Sequence, residues 1–236
     1  MSHLQADIDR FYTILRGLES TAQQGQPLAS YTGRSNIPSR GVYFFREPSE
    51  FRSSTPTTQR IVRVGTHAVS IHAKSTLWQR LRTHLGTRSG GGNHRGSIFR
   101  LHVGAALIAK DQANCATWGR GSTRPPELSQ SHEASAAEAG WEKAVSKYIG
   151  AMTILWVDVP DEPGSNSERA DIERNSIALL SNHLSPIERP TDKWLGTFSP
   201  REEIRQSGLW NLNHVAQQYV PAFLDRLQDA VERTMS

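Results

Sequence analysis

Apolar residues near the start of the chain recur with helical spacing. They lie four, three, four and three positions apart, at Leu4, Ile8, Phe11, Leu15 and Leu18. One face of a helix collects residues at these intervals, so the spacing predicts an amphipathic helix over residues 3–19 that buries one stripe in the core. A polar stretch rich in Gln, Gly, Ser and Pro follows to about residue 40, and it predicts a linker.

Three later segments have the residue types of β-strands. Residues 41–46 are β-branched and aromatic, residues 60–65 alternate in a similar way, and residues 153–159 are almost continuously apolar. A polar loop with two prolines separates the first two segments, which predicts an antiparallel pair. We expect the third segment at the centre of a small sheet, because its apolar run predicts burial on both faces.

Helical spacing returns at several places between and after these strands. The predicted helices run from a Thr76–Gln79 capping box to near Gly86, from 98 to 108, from 172 to about 182 after Ser165 and Glu168, and from about 221 onward. Two adjacent prolines and many Ser and Ala residues at 110–137 predict an inserted surface segment. A short helix around 138–148 is expected to close it. The predicted fold class is therefore mixed α/β, a small and mainly antiparallel three-stranded sheet flanked by helices, with helical extensions at both ends.

The composition is that of an ordinary soluble protein. The 236 residues are 36% apolar and 21% charged, which suits one compact domain with elaborations and excludes wholesale disorder. No apolar run approaches the roughly 18 residues of a membrane span, and the N-terminus lacks a signal-peptide layout. We therefore expect a cytoplasmic protein without a membrane partner. The single cysteine, Cys115, excludes an intramolecular disulfide framework.

The formal net charge of +4 is unevenly distributed along the chain. Residues 51–110 contain ten Lys and Arg, five His and no Asp or Glu, whereas residues 111–236 carry more acids than bases. Like charges this concentrated repel one another unless an anion binds them. The segment, here called the basic block, predicts a polyphosphate partner and favours nucleic acid over a merely solvated face. Its five histidines have no recognised zinc-ligand spacing.

Candidate catalytic groups lie in separate predicted elements. Arg80 and His84 are four positions apart on one helix, so both side chains project from the same face. The first strand supplies Tyr43, the second supplies Arg63, and a later helix supplies Glu173. Phosphodiester hydrolysis needs cations to stabilise the phosphorane, a base for water and a carboxylate for a divalent metal. Each residue also has an ordinary structural interpretation, such as packing of Tyr43 in the sheet or solvent exposure of Glu173.

The order of these motifs resembles that of the GIY-YIG nuclease superfamily. Gly41-Val42-Tyr43 is followed by Arg63-Val64-Gly65, by Arg80 and His84 on the next helix, by His94 before a further helix, and by a strand and a helix bearing Glu173. The resemblance divides the chain into an N-terminal helix and linker at 1–40, a nuclease domain at 41–182 with an insertion at about 110–137, and a C-terminal helical extension at 183–236.

The resemblance implies a role for each matching residue. Tyr43 would accept a proton from the attacking water or orient that water, with His84 as a base or an assisting group. Arg80 would contact the scissile phosphate, and Glu173 would bind one Mg²⁺ or Mn²⁺. Arg63 stands where the family has a tyrosine. It can contact phosphate, but it cannot relay a proton at neutral pH because the guanidinium stays protonated.

A second set of residues is predicted to contact nucleic acid. It contains Lys74, Arg82, Asn93, His94, Arg95, Asn182, Asn211 and His214. His94, in a glycine-rich loop, could contact a backbone phosphate or take part in the chemistry. Asn211 and His214 follow Trp210, and this polar-aromatic cluster either reaches into a groove or covers the core.

The leading hypothesis is a Mg²⁺-dependent endonuclease that hydrolyses DNA, with double-stranded DNA as the expected partner and restriction or phage defence as the expected role. The first alternative is a catalytically inactive nucleic-acid-binding protein, or a subunit active only within a complex, which the Arg63 replacement favours. The second alternative is an enzyme that acts on the phosphates of nucleotides. Cutting both strands with one active site would need a homodimer or two sequential visits.

Overall fold

A computed structural model describes residues 3–21, 23–164 and 166–236. Within them the chain forms β1 (Gly41–Phe51), β2 (Gln59–Gly65) and β3 (Thr153–Asp158). The α-helices are α1 (His3–Arg16), α2 (Leu77–Leu85), α3 (Ile98–Lys110), α4 (Glu127–Gln130), α5 (His132–Ala151), α6 (Glu168–Leu180), α7 (Glu202–Ser207) and α8 (Phe223–Met235). The predicted mixed α/β class with a small antiparallel sheet is confirmed.

The strand order in the sheet is β2-β1-β3, with both pairings antiparallel. The prediction that residues 153–159 form the central strand was wrong, since β1 occupies the centre. Strand β3 is nevertheless apolar on both faces, because helices cover both sides of the sheet. Burial on two faces therefore does not require a central position.

Two helical layers enclose the sheet. Helices α1, α6 and α8 pack on one face, and α2, α3 and α5 pack on the other. The period of two along β1 sends Val42 and Phe44 into the first layer and Tyr43 and Phe45 into the second. Tyr43 is therefore directed at α2, the helix that carries Arg80 and His84.

A β-bulge in β2 sets the direction of Arg63. Phe45 pairs with Arg63, but the next residue of β1, Arg46, pairs with Ile61, so Val62 is an extra residue on β2. Residues directly opposite each other in a sheet share a face. Arg63 therefore lies on the same face as Phe45 and Tyr43.

Segments outside the strands cover both edges of the sheet. Along β2, the Trp210 N–H donates to the Val62 carbonyl (2.8 Å), and the Asn211 side chain bonds both the N–H and the C=O of Val64 (3.2 and 2.8 Å). Along β3, residues 24–28 make backbone and side-chain hydrogen bonds to the strand. Trp210 and Asn211 thus cover the core, whereas His214 of the same predicted cluster lines a cavity.

The helices differ from prediction mainly at their ends. Helix α5 has 20 residues and begins at the Ser131 cap, so the short helix expected around 138–148 extends into the predicted insertion. Ser167 caps α6, and Ser165, the expected start, lies outside the described residues. The predicted capping box of α2 is present, with Thr76 and Gln79 bonding each other's backbone. Within the described parts of the chain, every helix is too short or too polar to span a membrane.

Candidate active site

The candidate site lies where β1 begins and β2 ends, and two glycines make it possible. Tyr43 and Gly65 are cross-strand partners, and a Cβ at Gly65 would overlap the Tyr43 hydroxyl. A Cβ at Gly41 would overlap the carbonyl of Val157 on β3. The first motif therefore needs glycine for close strand approach, and the second needs it to make room for the tyrosine.

A chain of buried hydrogen bonds runs from Tyr43 through His84 to Ser97. The Tyr43 Oη lies 2.8 Å from His84 Nε2, and His84 Nδ1 lies 2.8 Å from Ser97 Oγ. Tyr43 and His84 have no exposed surface, and Ser97 is 1% exposed. A neutral imidazole has one N–H and one lone pair, so His84 donates to one of these partners and accepts from the other.

The surroundings of His84 favour its neutral form. Burial lowers the pKa of His84 well below its usual value, and the cations Arg63, Arg80 and Arg100 lower it further. The ring therefore keeps its acceptor nitrogen throughout the neutral range. Ser97 also accepts a hydrogen bond from the Arg100 backbone N–H (3.3 Å) as the N-cap of α3, which fixes its hydroxyl beside the ring.

Two cations in the site have no carboxylate partner among the described residues. Arg63 is buried, donates to the Trp210 carbonyl (2.7 Å) and lies 4.6 Å from the centre of the Phe99 ring. Burial lowers the pKa of Arg63, and Arg80 lowers it further. Half-buried Arg80 also makes no described ion pair, and its Nε has no hydrogen-bond partner. By contrast, the other buried arginines each pair with a carboxylate, namely Arg52, Arg60, Arg100 and Arg169.

Glu173 reaches the same end of the sheet from the opposite helical layer. Its Oε1 accepts a hydrogen bond from the Thr66 N–H (3.2 Å), just after β2. Arg169, one turn earlier on α6, donates to the His67 carbonyl (3.1 Å) and so fixes the helix against this loop. Burial raises the pKa of Glu173, and nearby Arg63 opposes that rise. The carboxylate lines a cavity of about 780 Å³.

The residues fit a divalent metal held by Glu173. Among the described residues, no cation lies within 4.0 Å of this carboxylate, and no group of three or more His, Cys, Asp or Glu could form a complete metal cage. Mg²⁺ does not need such a cage, since it binds through one or two carboxylates, several waters and substrate phosphates. A carboxylate that faces an open cavity and has no described ion pair suits that mode of binding.

Three of the predicted nucleic-acid contacts lie in the glycine-rich loop, and two of these are tied to α5. His94 is 1% exposed, with Nδ1 2.9 Å from Glu142 and Nε2 accepting from the Gly119 N–H (3.2 Å). Arg95 makes a two-pronged ion pair with Glu138 (2.7 and 2.9 Å). Exposed Asn93 accepts a hydrogen bond from the Arg95 N–H. His94 thus has no free ring nitrogen for a phosphate, because Glu142, 48 positions away, binds one nitrogen and the Gly119 N–H binds the other.

The remaining predicted contacts divide between interior and surface. Asn182 and Asn211 are buried and bond backbone groups, so they serve the fold. Lys74 and Arg82 are exposed. Half-exposed His214 lines the cavity next to Glu173 and lowers the pKa of that carboxyl after the larger effects of burial, Arg63 and Thr66.

Sequence reasoning missed two residues of the site. Ser97 carries a detectable signal, because a serine immediately before the α3 pattern is a typical N-cap. His67 is buried, bonds the Ser39 carbonyl (3.0 Å) and has its pKa lowered to about 4 by burial, with Arg169 and Arg80 adding to that effect. No local pattern identifies it, since its surroundings come from three separate segments.

The five residues predicted as catalytic thus converge at one end of the sheet, whereas their chemical roles stay predictions. No curated protein and no solved structure matches the chain significantly. A family model described as the GIY-YIG domain matches residues 2–236, so the match includes the segments before β1 and after β3. The chain therefore belongs to the GIY-YIG domain family, and its function is of the nuclease type.

Proposed function

We propose that this protein is a metal-dependent endonuclease that hydrolyses phosphodiester bonds of DNA. The observation that carries the proposal is the buried chain from Tyr43 through His84 to Ser97, which ends beside the cations Arg63 and Arg80. Family membership supports nuclease chemistry in general. The position of Glu173 supports metal dependence.

In the proposed reaction a phosphate binds between Arg63 and Arg80, which form no ion pair with any described carboxylate. The oxygen of a water attacks phosphorus while its proton passes to the Tyr43 oxygen, and the Tyr43 proton passes to His84 Nε2. The bond from phosphorus to the leaving 3′ oxygen breaks, and that oxygen takes a proton from solvent. A divalent ion at Glu173 would supply Lewis acidity at the phosphate.

The neutral state of His84 is consistent with this role. A neutral ring can accept the Tyr43 O–H, so the phenol oxygen keeps its lone pairs for another hydrogen bond or a proton. The cations that lower the pKa of His84 include Arg63 and Arg80, the two that would receive the phosphate. A bound anion would offset their charge and make His84 a better proton acceptor at the moment it is needed.

A DNA-binding protein without catalysis is the second candidate, and Arg63 is the observation that favours it. The guanidinium occupies the family's tyrosine position and is held by the Trp210 carbonyl and the Phe99 ring. In this second candidate Arg63 would only bind phosphate. Tyr43, His84 and Glu173 would then keep their geometry without a reaction to perform.

Plasmid cleavage in Mg²⁺ and in Mn²⁺ distinguishes the two candidates. We expect the wild type to cut, Tyr43→Phe to cut about 10²–10⁴-fold more slowly, and Glu173→Gln to be inactive while still binding DNA. Glu133→Gln, at an exposed position on α5, is the matched control and should cut normally. A wild type that binds DNA and cuts neither single nor double strands in either metal would be the inactive scaffold.

We further propose that the substrate is double-stranded DNA and that the role is restriction or phage defence in the cytoplasm. No separate DNA-binding module is recognisable in the described part of the chain, so the insertion at about 110–137 and the C-terminal extension at 183–236 would supply recognition. A homodimer would cut both strands in one visit. Sequencing of the cut ends tests the role, since random ends would contradict restriction, and sedimentation analysis tests the dimer.

A further inference from the structure

Helix α2 has a second functional flank, directed away from the candidate active site. Arg80 and His84 lie on one flank, whereas Trp78, Arg82 and Leu85 follow one another at spacings of four and three on the other. This second flank, the loop at 86–90 and helix α5 enclose an open groove of about 810 Å³. We call it the basic groove, after its four cations Arg82, Arg88, Lys143 and Lys147.

The four cations of the basic groove have no acidic partner. All four side chains are exposed, no described ion pair includes any of them, and no acidic residue lines the groove. Two of the three acids of α5 point elsewhere, since Glu138 binds Arg95 and Glu142 binds Arg100. Lysines four positions apart on α5 thus face arginines of α2 and its loop across a gap. This arrangement suits a ligand that carries several negative charges along its length.

The floor of the groove is aromatic. Half-exposed Trp78 lies against Gly33, where an added Cβ would be 3.3 Å from the indole Nε1, so the glycine gives the ring its place. Buried Tyr31 is fixed by its hydroxyl, which donates to the Gln23 carbonyl (2.8 Å). Inorganic phosphate cannot stack on an indole ring. A nucleotide can, because every base can stack on an aromatic ring.

We propose that the basic groove binds single-stranded nucleic acid, with one base stacked on Trp78 and backbone phosphates on Arg82, Arg88, Lys143 and Lys147. The proposal deepens the proposed function, since the strand held here would be continuous with the strand whose phosphate reaches Arg80 on the other flank of α2. An unpaired strand next to the scissile phosphate would make a branched or frayed duplex a better substrate than a fully paired one.

Binding of a fluorescent oligothymidylate to the Glu173→Gln protein without metal tests the groove separately from cleavage. Loss of Lys143 and Lys147 together, both to Ala, should weaken binding at least 10-fold and reduce the slope of log affinity against log salt by about 0.7 for each lost phosphate contact. Trp78→Ala should weaken binding about 5- to 150-fold without changing that slope. Lys110 and Lys193, both exposed and outside the groove, provide the matched double-alanine control.

The outcomes separate the groove from the nuclease function. If the groove variants bind with wild-type affinity and salt slope while the wild type still cuts, the groove proposal is wrong and the proposed nuclease function is unaffected. If the wild type never cuts but the groove variants still lose oligonucleotide binding, the groove proposal is supported and the proposed nuclease function is wrong. If the lysine variants weaken duplex binding and Trp78→Ala changes nothing, the stacked single strand is wrong, because the groove then follows duplex phosphates.

Discussion

Ser97 makes one of the two buried hydrogen bonds that set the tautomer of His84, the one at Nδ1. If the Ser97 oxygen accepts from Nδ1, then Nε2 is left to accept the Tyr43 proton, which the proposed reaction needs. Ser97 never touches substrate in this scheme, so it is a positioning residue. Its second bond, to the Arg100 N–H, keeps it in place.

We predict that Ser97→Ala lowers kcat by about 10-fold or more, leaves KM for DNA unchanged and shifts the pH profile of kcat. The loss of an N-cap also costs about 1 kcal/mol of stability. Ser131→Ala removes the cap of α5 and should cost similar stability with no change in kcat. Ser97→Thr keeps the hydroxyl and should restore activity. Equal losses of kcat in Ser97→Ala and Ser131→Ala would mean that Ser97 acts only as a helix cap.

His102 should make the protein sensitive to acid. Burial, with Arg63 and Arg201 adding to it, lowers its pKa to about 4, and its Nε2 has no described partner. Unfolded histidine binds a proton below about pH 6.5, and the folded protein cannot, so the stability that His102 contributes at neutral pH is lost as the pH falls from 6.5 toward 4.

Accordingly, His102→Gln should reduce the loss of unfolding free energy between pH 7 and pH 5 by at most about 2 kcal/mol. Urea unfolding at the two pH values measures it. His72→Gln, at an exposed position, should leave the loss unchanged. An unaltered pH dependence in His102→Gln would mean that the ring is already protonated in the folded state at pH 5.

At the scale of elements, Asn211 replaces a missing strand. Its amide satisfies the N–H and C=O of Val64 on the outer edge of β2, next to the Arg63 that the site uses. A buried backbone donor and acceptor left without partners together cost several kcal/mol.

Asn211→Leu should therefore lower the unfolding free energy by about 2–4 kcal/mol. It should also lower activity in protein that remains folded, because Arg63 loses its support. Chemical denaturation and plasmid cleavage measure the two effects. The exposed neighbour Asn213→Leu is the control, and an Asn211 variant as stable as this control would show that water satisfies the edge.

Local patterns in the sequence predicted the elements well, and long-range contacts set the limit. The alternation around Tyr43 and the four-residue spacing of Arg80 and His84 were sufficient to place these side chains, because strand and helix periods act over a few residues. The interior position of His94 depends on Glu142, which comes from another helix. The bulge at Val62 depends on pairing between strands, so no spacing within β2 could reveal it.

At the scale of the whole molecule, the fold neutralises four of the ten Lys and Arg residues of the basic block. Acids from outside it bind Arg52, Arg60, Arg95 and Arg100, and four of its five histidines are buried. A basic face that includes all five histidines is therefore absent from the described residues. Of the cations without a described ion pair, Arg63 and Arg80 lie in the candidate site, and Arg82 and Arg88 lie in the basic groove, where lysines of α5 add to the charge. Lys74 and Lys110 are exposed elsewhere.

A fragment of residues 41–182, the range of the motifs, should not fold alone. It lacks α1 and α8, which supply a large part of one helical layer, and it lacks the segments that cover both sheet edges. Circular dichroism and gel filtration should show an unfolded or associated fragment beside a monodisperse full chain. A monomeric fragment with a cooperative thermal transition would contradict this dependence.

The covered sheet edges also limit how the protein can associate. A free strand edge invites another chain to add a strand, which is a common route to domain swapping and fibrils. Here β2 is closed by residues 210–211 and β3 by residues 24–28 of the same chain. Two copies therefore cannot join by extending the sheet, so a dimer that cuts both DNA strands would have to form through its helices or on the DNA itself.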